Sequence, residues 1–369
     1  MTNITTRLLA TSALIIGATS ASAELYNFST YVPASEIAVT DGILPLFAAV
    51  SEDTGGEFEA QLFTAGQMFG PLDTLPGIQS GAVAGGTVFA GFYGNELPMA
   101  AMIEDTVALN LNRVAAQGAA LETYYTDCPD CRAEGEAAGI VSLGGHSLSP
   151  YVLICTKEIE SLDDLAGARV RGSTGMMNTA IGLLGSNGVN VSFGEISQAF
   201  ERGNIDCMIG NANWINLFGI AELTKSIVSE PALGIAPTTT FITFDKAIWD
   251  DFSDEVKSSF MSHMPEYIAN ATMGYIPLDE QGVVSAEENG ATVVMLGDEY
   301  AGLRDQLTEA ERERILGQAA DRGVADPEAL LSRYEANYEK WLGLSDEIGE
   351  DPAKFTEALK REIYDNLSL

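Results

Sequence analysis

The stretch Ser161-Leu162-Asp163-Asp164-Leu165-Ala166-Gly167-Ala168-Arg169-Val170-Arg171 holds a helix start, a turn and a strand in immediate succession. Ser161 is placed to cap a short helix, and Asp164 occupies the return position of a capping box. Gly167 breaks the chain, and Ala168 to Arg171 reads as a brief strand. Upstream, Tyr151 to Thr156 reads as another strand. Downstream, Met176 to Leu184 is a helix, Val189 to Phe193 a strand, Glu195 to Arg202 a helix stopped at Gly203, and Cys207 to Ile209 a strand. Strands alternating with helices predict an α/β unit built on a mainly parallel sheet.

The same alternation opens the chain. Leu25 to Tyr31 reads as a strand, with Tyr26, Phe28 and Thr30 on one face. Ile43, Leu46, Phe47 and Val50 recur at helical spacing until Thr54-Gly55-Gly56. Phe58 to Phe63 alternates again, Gly66 to Pro71 is a loop, Asp73 opens a short helix, and Ala82 to Val88 reads as a buried strand. Two α/β lobes are therefore expected. From about Phe241 come a further strand and helices, one of them Asp254 to Met264. The tail from Thr308 to Leu369 reads as helical and charged. Tyr334, Tyr338 and Trp341 fall at helical spacing in that tail, as residues that pack or brace a lobe.

Composition narrows the function. The chain has 369 residues, 46% of them hydrophobic, enough for a sizeable core. Its 53 acidic residues against 19 basic ones give a formal charge of -34. That charge repels nucleic acid and anionic membrane surfaces, so neither is an expected partner. An anionic ligand would need a local cation to overcome the protein's own field. Arg7, the apolar run from Leu8 to Ala18 and the small residues Ala21-Ser22-Ala23 read as an export leader over residues 1–23, with the mature chain starting at Glu24. No second apolar run of spanning length follows, so direct membrane insertion is not expected. Four cysteines suit an oxidising compartment. Cys128-Pro129-Asp130-Cys131 lacks a thioredoxin-like setting, and the two histidines, His146 and His263, lack zinc-ligand spacing. Structural disulfides 128–131 and 155–207 are the favoured reading. There is no G-x-S-x-G elbow, P-loop or H-E-x-x-H, and the carboxylates are too numerous to single out a catalytic pair. His146, between Gly145 and Ser147, reads as a loop or hinge residue.

Asp164 to Arg171 resembles the D-L-x-G-x-[KR]-[IV]-R segment of the solute-binding proteins of tripartite ATP-independent periplasmic (TRAP) transporters, the dicarboxylate-binding, DctP-like family. Val50 to Gly56 resembles the family's V-x-E-x-T-G-G helix end. Gly66-Gln67-Met68-Phe69-Gly70 resembles its G-Q-[LM]-G loop with one residue added. Ala199 to Asp206 resembles its short helix and G-x-[IV]-D turn. The likeness runs from about Tyr26 to Leu342. It implies a two-lobed periplasmic-binding-protein fold, type II-like, with hinge-crossing strands and a long lobe-spanning helix.

The resemblance also implies a ligand carboxylate held by the last arginine of the segment, Arg171. A guanidinium pairs bidentately with a carboxylate, and such bonds are worth about 1.5–3 kcal/mol each in a dry site. Arg169 is the rival, because a strand puts positions 169 and 171 on one face. The family places a polar side chain after its G-x-[IV]-D turn. Asn211 and Asn213 are the candidates here, sharing a face if the strand continues, with Trp214 as a wall; the family's acidic residue in this stretch is missing. Gln67, Phe69, Phe89 and Tyr93 lie beyond first-lobe strand ends and are candidates to close the pocket, as is Phe241 where the chain recrosses the hinge.

The expected divisions are a leader (1–23), a first lobe (24–146 plus about 236–275), a second lobe (147–235 plus about 276–345) and a helical tail (346–369). The expected role is an extracytoplasmic binding subunit, monomeric and without cofactor or metal, that captures a small carboxylate and delivers it to TRAP membrane permease subunits. A sensory subunit serving a membrane kinase would share fold and pocket. A secreted enzyme acting on an acidic metabolite predicts turnover, and an adhesive acidic protein predicts no saturable binding.

Overall fold

The computed structural model describes residues 24–230 and 232–367; the expected leader, residues 1–23, lies outside the described residues. Strands β1 (Glu24–Ser29), β2 (Phe58–Phe63), β3 (Gly85–Gly86) and β4 (Ile140–Gly144) belong to one sheet. The chain then crosses to a second sheet for β5 (Val152–Cys155), β6 (Arg169–Arg171), β7 (Asn187–Val189), β8 (Cys207–Gly210) and β9 (Ser226–Glu230). It returns for β10 (Ile242–Asp245) and crosses again for β11 (Thr292–Met295). The orders are β2-β1-β3-β10-β4 and β11-β9-β5-β8-β6-β7. β10 runs antiparallel to both its neighbours, and so does β5; the other pairings are parallel. Each lobe therefore holds its sheet together with a strand laid down against the general direction, next to the crossings.

Helices α1 (Leu44–Asp53), α2 (Thr74–Gln79), α3 (Pro98–Glu104), α4 (Arg113–Glu122) and α5 (Pro129–Ala137) serve the first lobe. α6 (Gly175–Leu183), α7 (Ile196–Glu201) and α8 (Trp214–Leu217) serve the second. The rest are α9 (Lys246–Asp251), α10 (Asp254–Glu288), α11 (Gly297–Asp321), α12 (Pro327–Ile348) and α13 (Pro352–Glu362). The alternation of β1 and β2 sends Phe28 and Phe58 into a cluster with Phe47, Phe244 and Phe260, all in edge contact. Full burial of each such ring is worth about 1.5–3 kcal/mol. The expected strand Ala82 to Val88 pairs at Gly85 and Gly86 alone, where it is squeezed: a Cβ on Gly85 would lie 2.6 Å from Thr243 O and one on Gly86 2.5 Å from Thr74 Cγ2.

Three further features differ from the sequence reading. The strand expected at Val189 to Phe193 lies earlier, at Asn187–Val189, and Phe193 begins a helical turn that packs on Trp214. The helix expected to end at Met264 runs on to Glu288, through Pro265 and Pro277. Proline costs about 3 kcal/mol in a helix interior, but α10 is held at both ends. Val256 to Met273 pack in the first core and Ala286 in the second. At 35 residues and about 1.5 Å of rise per residue, it is the beam between the lobes. Lastly, residues 276–345 do not all belong to the second lobe. α11 begins there with Tyr300, Leu303 and Leu307, but Ile315 and Ala319 lie in the first core. α12 and α13 follow them, with Leu331, Tyr334, Trp341, Phe355 and Leu359 buried in the first core. The helical tail is part of the first lobe.

Trp341 seats on Gly118 of α4, where a Cβ would fall 2.1 Å from the indole. Gly343, two residues along α12, faces open space. Gly118→Ala is therefore expected to lower stability by about 1–3 kcal/mol in urea unfolding. Gly343→Ala is expected to raise it by up to about 1 kcal/mol. Equal effects would contradict the α4–α12 packing described.

Candidate functional site

The segment around Arg171 folds as its local chemistry dictates. Ser161 N and Glu160 N both donate to Asp164 Oδ2 at 2.9 Å, closing the capping box over a helical turn at Leu162–Leu165. Gly167 takes φ +71°, and β6 then slots between β7 and β8. The two arginines of β6 part company by position along the strand. Arg169, at its start, is exposed and forks onto Asp206, with Nε 3.0 Å from Oδ2 and Nη2 2.6 Å from Oδ1. Arg171, at the carboxyl end, is only 3% exposed. Its Nε donates to Val191 O at 3.2 Å, and its guanidinium lies over Trp214, 5.8 Å from the ring centroid. Nη1 is buried and meets no acceptor among the described residues. Burial pulls the guanidinium below its ordinary pKa, opposed by the nearby Tyr151 hydroxyl.

The neighbouring loop supplies the complementary atoms. β8 ends at Gly210 and does not continue, so Asn211 and Asn213 sit in a tight turn before α8, not on one strand face as expected. Asn211 Nδ2 donates to Ser149 O at 2.6 Å, and Asn213 N donates to Asp279 Oδ1 at 3.1 Å. The two Oδ1 atoms are buried and, like Arg171 Nη1, lack a partner among the described residues. An unmet buried polar atom costs about 1–3 kcal/mol, and three such atoms lie on β6 and on the turn that follows its neighbour β8. Trp214 starts α8 and is held edge-on by Tyr151, Phe193 and Phe218. α10 carries the turn directly: a Cβ on Gly282 would lie 2.1 Å from Ala212 O.

Two residues that the sequence reading passed over are electrostatic neighbours here, Tyr151 of Arg171 and Tyr31 of Tyr151. Tyr31, just beyond β1, comes from the first lobe. Its enclosed hydroxyl is pushed far up by burial and then by the charges of Glu104, Tyr93, Tyr151 and Glu36. Tyr151, just before β5, comes from the second lobe and is pushed up to about 12 by burial, with Arg171 opposing. Both are aromatic residues at strand ends, and Tyr151 lies in a crossing segment, which is the one signal the sequence offered.

The other candidates have contacts within their own lobe. Gln67 is exposed. Phe69 covers Gly77 of α2. The Tyr93 hydroxyl donates to Pro71 O at 2.7 Å and accepts from Leu75 N at 3.2 Å. Phe89 lies edge-on to Phe92, 5.1 Å away. Phe241 packs on His146 at 4.6 Å. Both disulfides are present, Cys128–Cys131 at the start of α5 and Cys155–Cys207 across β5 and β8.

The crossings themselves are clamped by polar side chains. Leu148 N donates to Ala236 O, and Tyr151 N to Gly234 O, at 2.9 and 2.8 Å. Gln117 Nε2 ties both crossing segments through Gly145 O and Thr238 O, at 2.7 and 2.8 Å. His146 is fully buried there between Tyr267 and Tyr275, and burial holds it down to about 3, so it is neutral. Glu104 Oε1 accepts from both backbone N–H groups and both hydroxyls of Thr239 and Thr240, at 2.7 to 3.1 Å. Glu36 accepts from Tyr275 and, at 2.6 Å, from Ala38 N. Burial pushes Glu36 and Glu104 each up to about 7, against those hydrogen bonds.

Residues 28–310 match the family model described as bacterial extracellular solute-binding protein, family 7. Solved structures share the fold. An extracytoplasmic solute receptor of Bordetella pertussis that binds pyroglutamic acid is 19% identical, covers 85% of this chain and 100% of its own, and superposes with a TM-score of 0.72. A marine metagenome TRAP solute-binding protein specific for pyroglutamate gives 18%, 85%, 99% and 0.73. A TRAP periplasmic solute-binding protein of Desulfovibrio salexigens with bound orotic acid gives 18%, 86%, 99% and 0.72. Among the described residues no helix is long and apolar enough to cross a membrane.

The hinge acids set a pH dependence. A glutamate with its folded pKa raised from about 4.5 to about 7 contributes stability that is complete below the lower value and lost as pH rises through the upper one. Growing self-repulsion of the acidic chain acts in the same direction. Glu104→Gln separates the two: its urea midpoint is expected to fall less between pH 5 and pH 8 than that of the parent. Parallel curves would show that Glu104 does not titrate in this range.

Proposed function

Since the chain belongs to the bacterial extracellular solute-binding protein family 7, we propose that it is the receptor of a TRAP transporter and captures a small organic acid between its lobes. The observation that carries this is the buried Nη1 of Arg171, a cation without a counter-charge among the described residues of a protein of net charge -34. A ligand carboxylate docks on Arg171 and accepts from Nη1. Asn211 and Asn213 receive donors from the rest of the molecule, Trp214 and Tyr151 form the wall on the second lobe, and Tyr31 closes from the first. Pyroglutamate and orotate, the ligands of two fold relatives, combine a carboxylate with one and two ring N–H donors respectively. That is the complement of one guanidinium and two open amide oxygens.

Binding works by hinge closure. The crossing segments near residues 144–151 and 233–241, with α10, allow the lobes to part, and a ligand touching both lobes favours the closed form by its difference in affinity for the two forms. Residues 1–23 direct export, so the receptor works in the periplasm and presents its closed surface to the membrane subunits. Loading involves no chemical change in the ligand.

A thermal-shift screen of organic acids tests the reading. A true ligand at 100 times its dissociation constant should add roughly 2.7 kcal/mol of apparent stability. Arg171→Met should abolish that gain, while Arg169→Ala should leave it within a few-fold in affinity. Without ligand, Arg171→Met should be at least as stable as the parent, because it removes a desolvated, uncompensated charge. Full binding by Arg171→Met would refute the assignment.

A further inference from the structure

Among the described residues, two arginines have a buried guanidinium nitrogen without a partner: Arg171, and Arg132 through its Nε. Arg132 lies in the other lobe, on α5, immediately after the Cys128–Cys131 bridge that fixes the first turn of that helix. It lines a cavity of about 160 Å³ between α5, the edge strand β4, and the α9–α10 corner. That is room for an oxyanion and some water, a water molecule taking about 30 Å³. Two more cations converge there, Lys246 of α9 and Lys257 of α10, and the indole of Trp249 forms a wall. Three of the chain's 19 basic residues meet at one cavity, although acids outnumber bases by 53 to 19.

The local acids, Asp250 and Glu136, neutralise this group only in part. Asp250 takes Lys246 at 2.6 Å, while Lys257 Nζ donates to the backbone oxygen of Asp250 at 2.8 Å and so keeps its charge uncompensated. Glu136, one turn on from Arg132, lines the same cavity, yet Arg132 forms no ion pair among the described residues. Arg169, Arg312 and Arg314 each pair with a carboxylate, and the buried Arg304 is met by the carbonyl oxygens of Ala232 and Ala108; the Nε of Arg132 has neither kind of partner among the described residues.

We propose that this cavity is a second oxyanion site, separate from the interlobe cleft, which takes a free phosphate or a small carboxylate on Arg132 with help from Lys257 and Lys246. Arg132 supplies the planar fork, the two ammonium groups supply point charges, and Glu136 weakens the site by repulsion.

The test uses the full mature chain carrying Arg171→Met, so that the cleft does not respond, with inorganic phosphate and acetate titrated separately by thermal shift at constant ionic strength. Saturable stabilisation is expected from at least one of them. Phosphate alone identifies a phosphate site, acetate alone a carboxylate site, and both an unselective oxyanion site. Adding Arg132→Gln should weaken the response by about tenfold or more, and Lys257→Gln should weaken it independently. Glu136→Gln should strengthen it, an outcome that loss of folding cannot imitate. No saturable response to either anion, or an unchanged one in both Arg132→Gln and Lys257→Gln, overturns the proposal.

Discussion

A guanidinium taken out of water without its counter-ion is costly, and the second lobe is arranged around that cost. Arg171 keeps one hydrogen bond, to Val191 O, and an aromatic face, Trp214, while Nη1 stays open. Everything nearby serves to hold that unfinished state. Asp206 engages Arg169, and Arg171 forms no ion pair among the described residues. Phe193 and Phe218 fix Trp214, and α10 presses on the Ala212 backbone through a glycine, which sets the turn that carries Asn211 and Asn213. The net charge makes this economy necessary. In an acidic chain a free cation is quenched unless the fold keeps the acids away.

The hinge shows the opposite strategy. There the buried polar groups are almost all satisfied, by Gln117 across both crossing segments and by Glu104 on Thr239 and Thr240. A satisfied network is rigid, and an unsatisfied site is receptive. The long α10 joins the two, with one end in each core.

Much of this was legible in the residues. The capping box at Ser161 and Asp164, the strand through Arg171 and the alternation of Phe58 to Phe63 are local signals, and they fold as read. The resemblance pointed to Arg171, with Arg169 as its rival; that one is buried and the other exposed shows only in the fold, because period-two alternation cannot tell the two ends of a strand apart. What was not legible is long-range. Pro265 reads as a helix breaker, and only burial between two cores explains why α10 continues. The turn at Asn211 to Asn213 packs closely on Gly282, far away in sequence. Tyr31 and Tyr151 look like ordinary strand residues until the lobes are brought together, and the helical tail gives no local sign that Trp341 will seat on Gly118.

The central claim is that a negative carboxylate, and not shape alone, is what the site between the lobes recognises. Calorimetric titration of the best-binding organic acid against its own carboxamide tests this most directly, since the two differ by a charge and hardly in size. The account predicts that the carboxamide binds at least about a hundredfold more weakly, as expected for losing charge-assisted bonds to a buried guanidinium. Equal affinity for the acid and its carboxamide would contradict it.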